Sequence, residues 1–415
     1  MKNNSGISIL KKGNDKNTIF SFSFALWMAS GYPLRQILSK ESNTLIPGIC
    51  MLLAAYLFFI LILGARQKLK IHTFSKAGRI NIVLWAVFLA LGLLSSLLAG
   101  PESIFYQGTL IAGAILTFSE CYFGLLPLRA ASLVCLTMVI PFNFLWLLVR
   151  LGRIWFPAYT IRNSSYGVIS LSSIAAVSYV IRRPYNFIVE AAILVSLLIN
   201  GHRTSFLAAL AFIMVQNAFS LKKARKKRSL KGLLIAGACL VVVASFRYYE
   251  KATQYVIDNV LLLNDVHRGY ASGFSNRIEI WKIAFPLITE KPILGWGSHE
   301  NENIVRDREP TASSAHNGIL ASFIDYGIVG GSLGLLLMAF PLILAGKRAW
   351  STGEKEFVFI SGYGIGYIIL SLGERYWFNV GNPTSLMMLY LIFYTLIKTN
   401  RMQGRANLTT MMAHS

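Results

Sequence analysis

The chain has 415 residues, 54% of them hydrophobic and only 14% charged, with a mean hydropathy of +0.54. A soluble domain carries about a quarter charged residues, so this composition excludes an ordinary soluble protein and points to an integral membrane protein. A net charge of +22 would suggest a nucleic-acid partner in a soluble chain. In a membrane protein it reflects Lys and Arg gathered in cytoplasmic loops, and no nucleic-acid partner is expected.

A helix needs about 20 mostly apolar residues to cross the hydrocarbon core. In chain order the stretches that qualify are 18–38, 44–65, 80–99, 104–124, 130–150, 164–181, 185–200, 203–220, 231–246, 317–345, 356–373 and 383–398. The expected fold is therefore all-α: a polytopic integral membrane protein of about 12 transmembrane helices, with both termini cytoplasmic. Lys2, Lys11, Lys12 and Lys16 precede the first span, and no small-residue cleavage site follows, so the N-terminus is expected to be retained. Cys50, Cys121, Cys135 and Cys239 fall within or beside apolar spans and read as small buried hydrophobes.

Orientation follows from the basic residues. With the N-terminus inside, the inner segments collect Arg66, Lys68, Lys70, Lys76, Arg79, Arg129, Arg182, Arg183 and the KKARKKR run at 222–228. Lys347, Arg348, Lys355, Lys398, Arg401 and Arg405 complete the set. The opposite orientation violates the positive-inside rule. Residues 1–246 then form nine spans, 247–315 one large periplasmic loop containing short helices, and 316–415 three spans with a cytoplasmic tail.

The loop has structure of its own. Tyr248, Tyr249, Ala252, Tyr255, Val256 and Val260 recur at helical spacing, as in an amphipathic helix lying at the interface. Asn276 is expected to cap a second helix over 277–290, after which Pro292, Gly295 and Gly297 turn the chain into a charged segment ending at Pro310. A long structured loop is usually functional. The Gly327, Gly330, Gly331 and Gly334 cluster beyond it reads as structural, permitting close packing or a kink.

Several side chains on this face can carry chemistry. His316 stands where the loop ends and a membrane helix begins, with Ser313, Ser314 and Asn317 beside it. A neutral imidazole there can take a proton from a hydroxyl, although a structural histidine bonded to backbone fits the position equally well. Arg203, Arg268 and Arg277 lie at the outer membrane edge, where guanidinium groups pair with lipid headgroups or clamp a diphosphate. Trp281 and Trp296 suit either stacking on sugars or an interfacial belt. His202, His267, His299 and His316 fall on the outer face together with Glu300 and Glu302, but without metal-ligand spacing, so no metal and no other cofactor is expected. Glu190, the one carboxylate read as intramembrane, is either functional or paired with a neighbouring helix.

Arg203 in GHRTS, Arg277 with Trp281, KPILGWG at 291–297, and His316-Asn317 leading into DYGIVGG follow one another on one face. In this pattern the chain resembles the O-antigen ligase and polymerase superfamily of bacterial membrane glycosyltransferases. The resemblance implies a GT-C-like helical fold in the inner membrane, with the active site periplasmic. It implies a glycan donor linked to undecaprenyl diphosphate and, for a ligase, a lipid A-core acceptor, with no metal and inversion at the anomeric carbon. Carried over, His316 is the general base. Arg277 and Arg203 meet the diphosphate charge, and Arg268 is a less certain third cation. Asn317, Trp281 and Trp296 line the substrate site. The single large loop favours a ligase over a polymerase. The alternatives are a polymerase using the same donor and a twelve-span transporter or flippase, which would place its ionisable residues near the midplane.

Overall fold

The computed structural model describes residues 23–28, 53, 55, 59, 76–137, 163–181, 185–199, 202–223, 273–310, 312 and 314–413, and among them there is no strand. The principal helices are α1 (Lys76–Ala99), α2 (Pro101–Tyr122), α3 (Asn163–Val180), α4 (Tyr185–Ile199) and α5 (Arg203–Lys223). They continue with α6 (Gly273–Glu290), α7 (Asn301–Arg308), α8 (Gly318–Thr352), α9 (Lys355–Gly373) and α10 (Pro383–Ala413). Three of them, α1 from Gly78 together with α8 and α9, are long and apolar enough to cross a bilayer, and shorter apolar helices accompany them. The all-helical architecture agrees with expectation. The spans predicted at 18–38, 44–65, 130–150 and 231–246 lie wholly or largely outside the described residues, as does the interfacial helix predicted over 248–260.

Local chemistry sets the helix ends. Asn317 caps α8 by accepting from Ile319 N–H and Leu320 N–H at 3.0 and 3.1 Å. Gly353, at φ 63, closes α8 with its N–H donating to Ala349 O. Two expectations are corrected. The second loop helix begins at Gly273, so Asn276 lies inside its first turn and is not its cap. The charged segment after the glycine turn is itself helical, as α7.

The bundle is centred on α9, which packs against α5 on one side and α8 on the other; α10 packs on α2, and α1 lies between α2 and α8. Its core includes a polar knot. Ser172 Oγ lies 2.8 Å from Tyr363 OH and 2.7 Å from Thr384 Oγ1, and Tyr363 OH donates to Thr384 O. In a bilayer every buried polar group needs such a partner inside the protein. Glu190 is bonded by Asn186 one turn earlier in α4, at 3.5 Å. It is not the only buried carboxylate: Glu120 is fully buried near the end of α2.

The two ends of the bundle differ. At one end Lys398 pairs with Glu354 and Glu356, Lys355 donates to Tyr179 O, and Arg401 donates to Tyr122 O. At the other end lie the α1–α2 turn, the start of α5, the α9–α10 turn and the described residues of 291–317. Thus Lys355, Lys398 and Arg401, read as one side of the membrane, do share one end.

Helix lengths set the levels. At 1.5 Å per residue α1 rises about 24 Å from Arg79 to Ser95, α9 about 27 Å from Lys355 to Gly373, and α8 about 29 Å between Lys347 and Ile328, each close to the hydrocarbon thickness. All 35 residues of α8 would rise about 52 Å. The helix breaks instead at Gly327, whose φ 68 and ψ −175 are non-helical. A Cβ on Gly318, at the start of α8, would meet Glu374 O at 3.1 Å, and Glu374 follows directly on the end of α9. Both ends of residues 318–326 therefore sit near one level, and this arm lies across the end of the bundle.

Candidate active site

The arm, α6 and α7 make a small hydrophobic core separate from that of the bundle, built from Ile280, Ala284, Leu287, Val305, Ala315 and Ile324 among others. The glycine turn joins it to the broken helix. Trp296 N–H and Gly297 N–H donate to Ile324 O and Asp325 O, both at 2.9 Å, and Ile328 N–H donates to Pro292 O at 2.6 Å. The broken backbone at Gly327 thus finds partners in the turn, where an unbroken helix would offer none. Only glycine fits on either side, since a Cβ on Gly295 would lie 2.4 Å from Gly327 N, and one on Gly327 would lie 2.6 Å from Ile293 O. Buried Asp325 accepts from Asn301 N–H at 2.8 Å, capping α7 from across the fold.

This scaffold holds His316 in an uncommon conformation. Trp281 Nε1–H donates to Ala315 O at 3.1 Å, His316 N–H donates to Ser314 Oγ at 3.2 Å, and Asn317 is committed to capping α8. His316 itself has φ 45. Among the described residues the other non-glycines at positive φ are His299 and Phe378, at the same end of the bundle. Strained backbone persists only where its surroundings over-determine it, and it concentrates at functional sites. Burial, followed by the positive charge of Arg277, holds the His316 imidazole below its ordinary pKa. The ring is therefore neutral at pH 7 and able to accept a proton.

Arg277, at 3.5 Å from Glu374 Oε1, links α6 to the α9–α10 turn. Burial raises the Glu374 carboxyl above the usual carboxylate range, and Arg277 opposes that shift. The absence of a side chain at Gly373 lets two elements meet, because a Cβ there would lie 2.6 Å from Thr204 Cγ2 and 2.9 Å from Arg277 Nη1. Arg203 opens α5 directly before Thr204. His316, Arg277, Glu374 and the N-terminus of α5 thus converge on one spot. A second pair flanks it: Arg375 pairs with Glu302, which His299 Nε2 also meets at 2.5 Å, and the His299 ring lies against Tyr106. The turn bearing Glu374 and Arg375 is anchored below, where Tyr367 OH and Ser385 Oγ each donate to Tyr376 O at 2.6 Å and Trp27 Nε1–H donates to Val380 O at 3.0 Å.

The comparison with known proteins falls on these elements. Residues 188–335 match the O-antigen ligase family. The matched segment takes in α5, α6, the glycine turn, α7, His316 and the arm. The match supports the O-antigen ligase superfamily, whose members are glycosyltransferase-type enzymes. No curated protein matches the chain significantly.

Within the matched segment the structure brings His316, Arg277 and the α5 terminus carrying Arg203 together. Trp281 and Asn317 adjoin them through their bonds to the chain around His316. Trp296 stands apart at the glycine turn, its Nε1–H donating to Leu287 O at 2.9 Å and its ring beneath Lys291 at 4.0 Å. Arg268, Ser313, Cys50 and Cys239 lie outside the described residues; Cys121 and Cys135 are buried. Among the described residues no three His, Cys, Asp or Glu side chains group as a metal site would require. Glu374 and Arg375 lie beyond the matched segment, and sequence reasoning passed over them. Their signal was an adjacent acid and base, GERYW, in a short outer connection between two apolar spans.

Proposed function

We propose that the protein is an O-antigen ligase. In this reading it transfers a glycan from undecaprenyl diphosphate to a sugar hydroxyl of lipid A-core, on the periplasmic face of the bacterial inner membrane. The observation that carries it is the convergence of a neutral, strained His316 with Arg277 and the Arg203 terminus at one membrane-level spot. His316 takes the proton of the acceptor hydroxyl, whose oxygen attacks the anomeric carbon from the face opposite the diphosphate. The bond from that carbon to the diphosphate oxygen breaks, the electron pair leaves with the diphosphate, and the configuration inverts. Arg277 and Arg203 meet the growing negative charge. Glu374 holds the Arg277 guanidinium in place before the donor arrives, and the diphosphate then competes for it.

Gene deletion read by lipopolysaccharide gel tests the reaction class. A ligase predicts loss of the whole O-antigen ladder with polymer accumulating on the carrier. A single repeat unit on the core would instead mean a polymerase, and unchanged lipopolysaccharide would refute both. With purified protein, His316→Ala is expected to bind donor normally and lose transfer by about 100-fold or more, whereas Arg277→Ala is expected to weaken donor binding itself.

A further inference from the structure

The glycine turn also presents an apolar tip. Pro292 and Ile293 are exposed, Ile293 at 68%, although the turn belongs to the loop expected on the periplasmic side. Pro292 O accepts from Ile328 N–H, which places Ile293 beside Ile328 and Val329, themselves 47% and 49% exposed. Those two residues head a stripe down one face of α8 that continues through exposed Leu336, Phe340 and Ile343 to Lys347. From Ile328 to Lys347 the stripe spans about 29 Å, the thickness of a hydrocarbon core. Ile328 and Val329 therefore stand at the outer boundary of the lipid, and Ile293 stands with them.

We infer that the turn at 291–294 is a membrane-docking lip whose partner is the lipid surface, with Pro292 and Ile293 in the acyl-chain boundary and Lys291 at the headgroups. The chemistry on either side of the tip agrees. Lys291 is exposed, with its ammonium 4.0 Å from the Trp296 ring. A lysine and a tryptophan bracketing an apolar tip suit the headgroup layer, where the ammonium meets phosphate and the indole meets both phases. The consequence is mechanical. The turn bonds to the arm that closely follows His316, so a lip seated in the bilayer fixes the height of the arm, and with it the imidazole, relative to lipid-borne substrates. This docking is independent of which glycan is transferred.

Spin labels test the placement in full-length protein reconstituted into vesicles of phosphatidylethanolamine and phosphatidylglycerol, with Cys50 and Cys239 replaced by Ser. Labels are placed singly at Ile293→Cys, at Val329→Cys as the lipid-facing reference, and at Asp307→Cys as the water-exposed reference on α7. Collision with dissolved oxygen is compared with collision with a water-soluble nickel chelate. An oxygen-to-nickel ratio at Ile293→Cys nearer to that of Val329→Cys supports the lip. A ratio nearer to that of Asp307→Cys overturns it, and leaves water or a protein partner as what covers the tip. All three positions are exposed, so labelling does not disturb the core.

Discussion

The contact between the turn and the broken helix gives the sharpest prediction, Gly327→Ala. At φ 68 and ψ −175 this residue occupies a region that L-residues avoid, and the strain of an alanine there is about 1–3 kcal/mol. The new Cβ would also lie 2.6 to 2.7 Å from the carbonyls of Ile293 and Pro292, which are backbone atoms and cannot swing aside. The turn must then retreat, weakening the hydrogen bonds from Ile328, Trp296 and Gly297, at about 1 kcal/mol each. The sum is about 4–6 kcal/mol. Thermal unfolding of purified protein should show it as a Tm lower by several degrees, together with faster proteolysis between α6 and α8. Because Gly295→Ala opens the same contact, with a Cβ 2.4 Å from Gly327 N, the double variant should lose clearly less than the sum of the two. A Gly327→Ala protein with Tm within about 1 °C of wild type, or strict additivity with Gly295→Ala, would refute the interlock.

Four further outcomes follow from the geometry of the site. Because His316 is held below its usual pKa, transfer should persist from neutral pH to below the ordinary histidine pKa and fall as pH drops through the lowered value; a profile already falling near pH 7 would contradict a neutral base. The same shift adds stability above the ordinary histidine pKa that is lost on acidification, since the unfolded chain takes up the proton first. Trp281→Phe keeps an aromatic side chain but removes the donor to Ala315 O, at a cost of about 1 kcal/mol, and should lower kcat several-fold with donor affinity little changed. Glu302→Gln should free Arg375 and loosen the α9–α10 turn, weakening donor binding through Glu374 and Arg277; unaltered donor binding would show the two ion pairs to be uncoupled.

Much of this was determined by sequence alone. Composition and apolar runs imposed an all-helical membrane architecture, because lipid leaves the backbone no other way to satisfy its hydrogen bonds. The segregation of Lys and Arg separated the two ends of the bundle; His316 stood out at the edge of an apolar span and Arg277 at the start of the helix in the loop. Tertiary structure decided what periodicity cannot encode. The glycines at 327–334 left close packing and a kink equally open and residue type left Asn276 as a cap, whereas the turn at 292–297 supplies the partners that let the helix break at Gly327. Glu374 and Arg375 acquire meaning only when α9 and α10 carry them to Arg277 and Glu302, because an ion pair 97 residues apart in sequence leaves no local trace. The same holds for His316. Its residue type was legible, but its strained backbone and its neutral ring are set by Trp281, by burial and by a distant arginine.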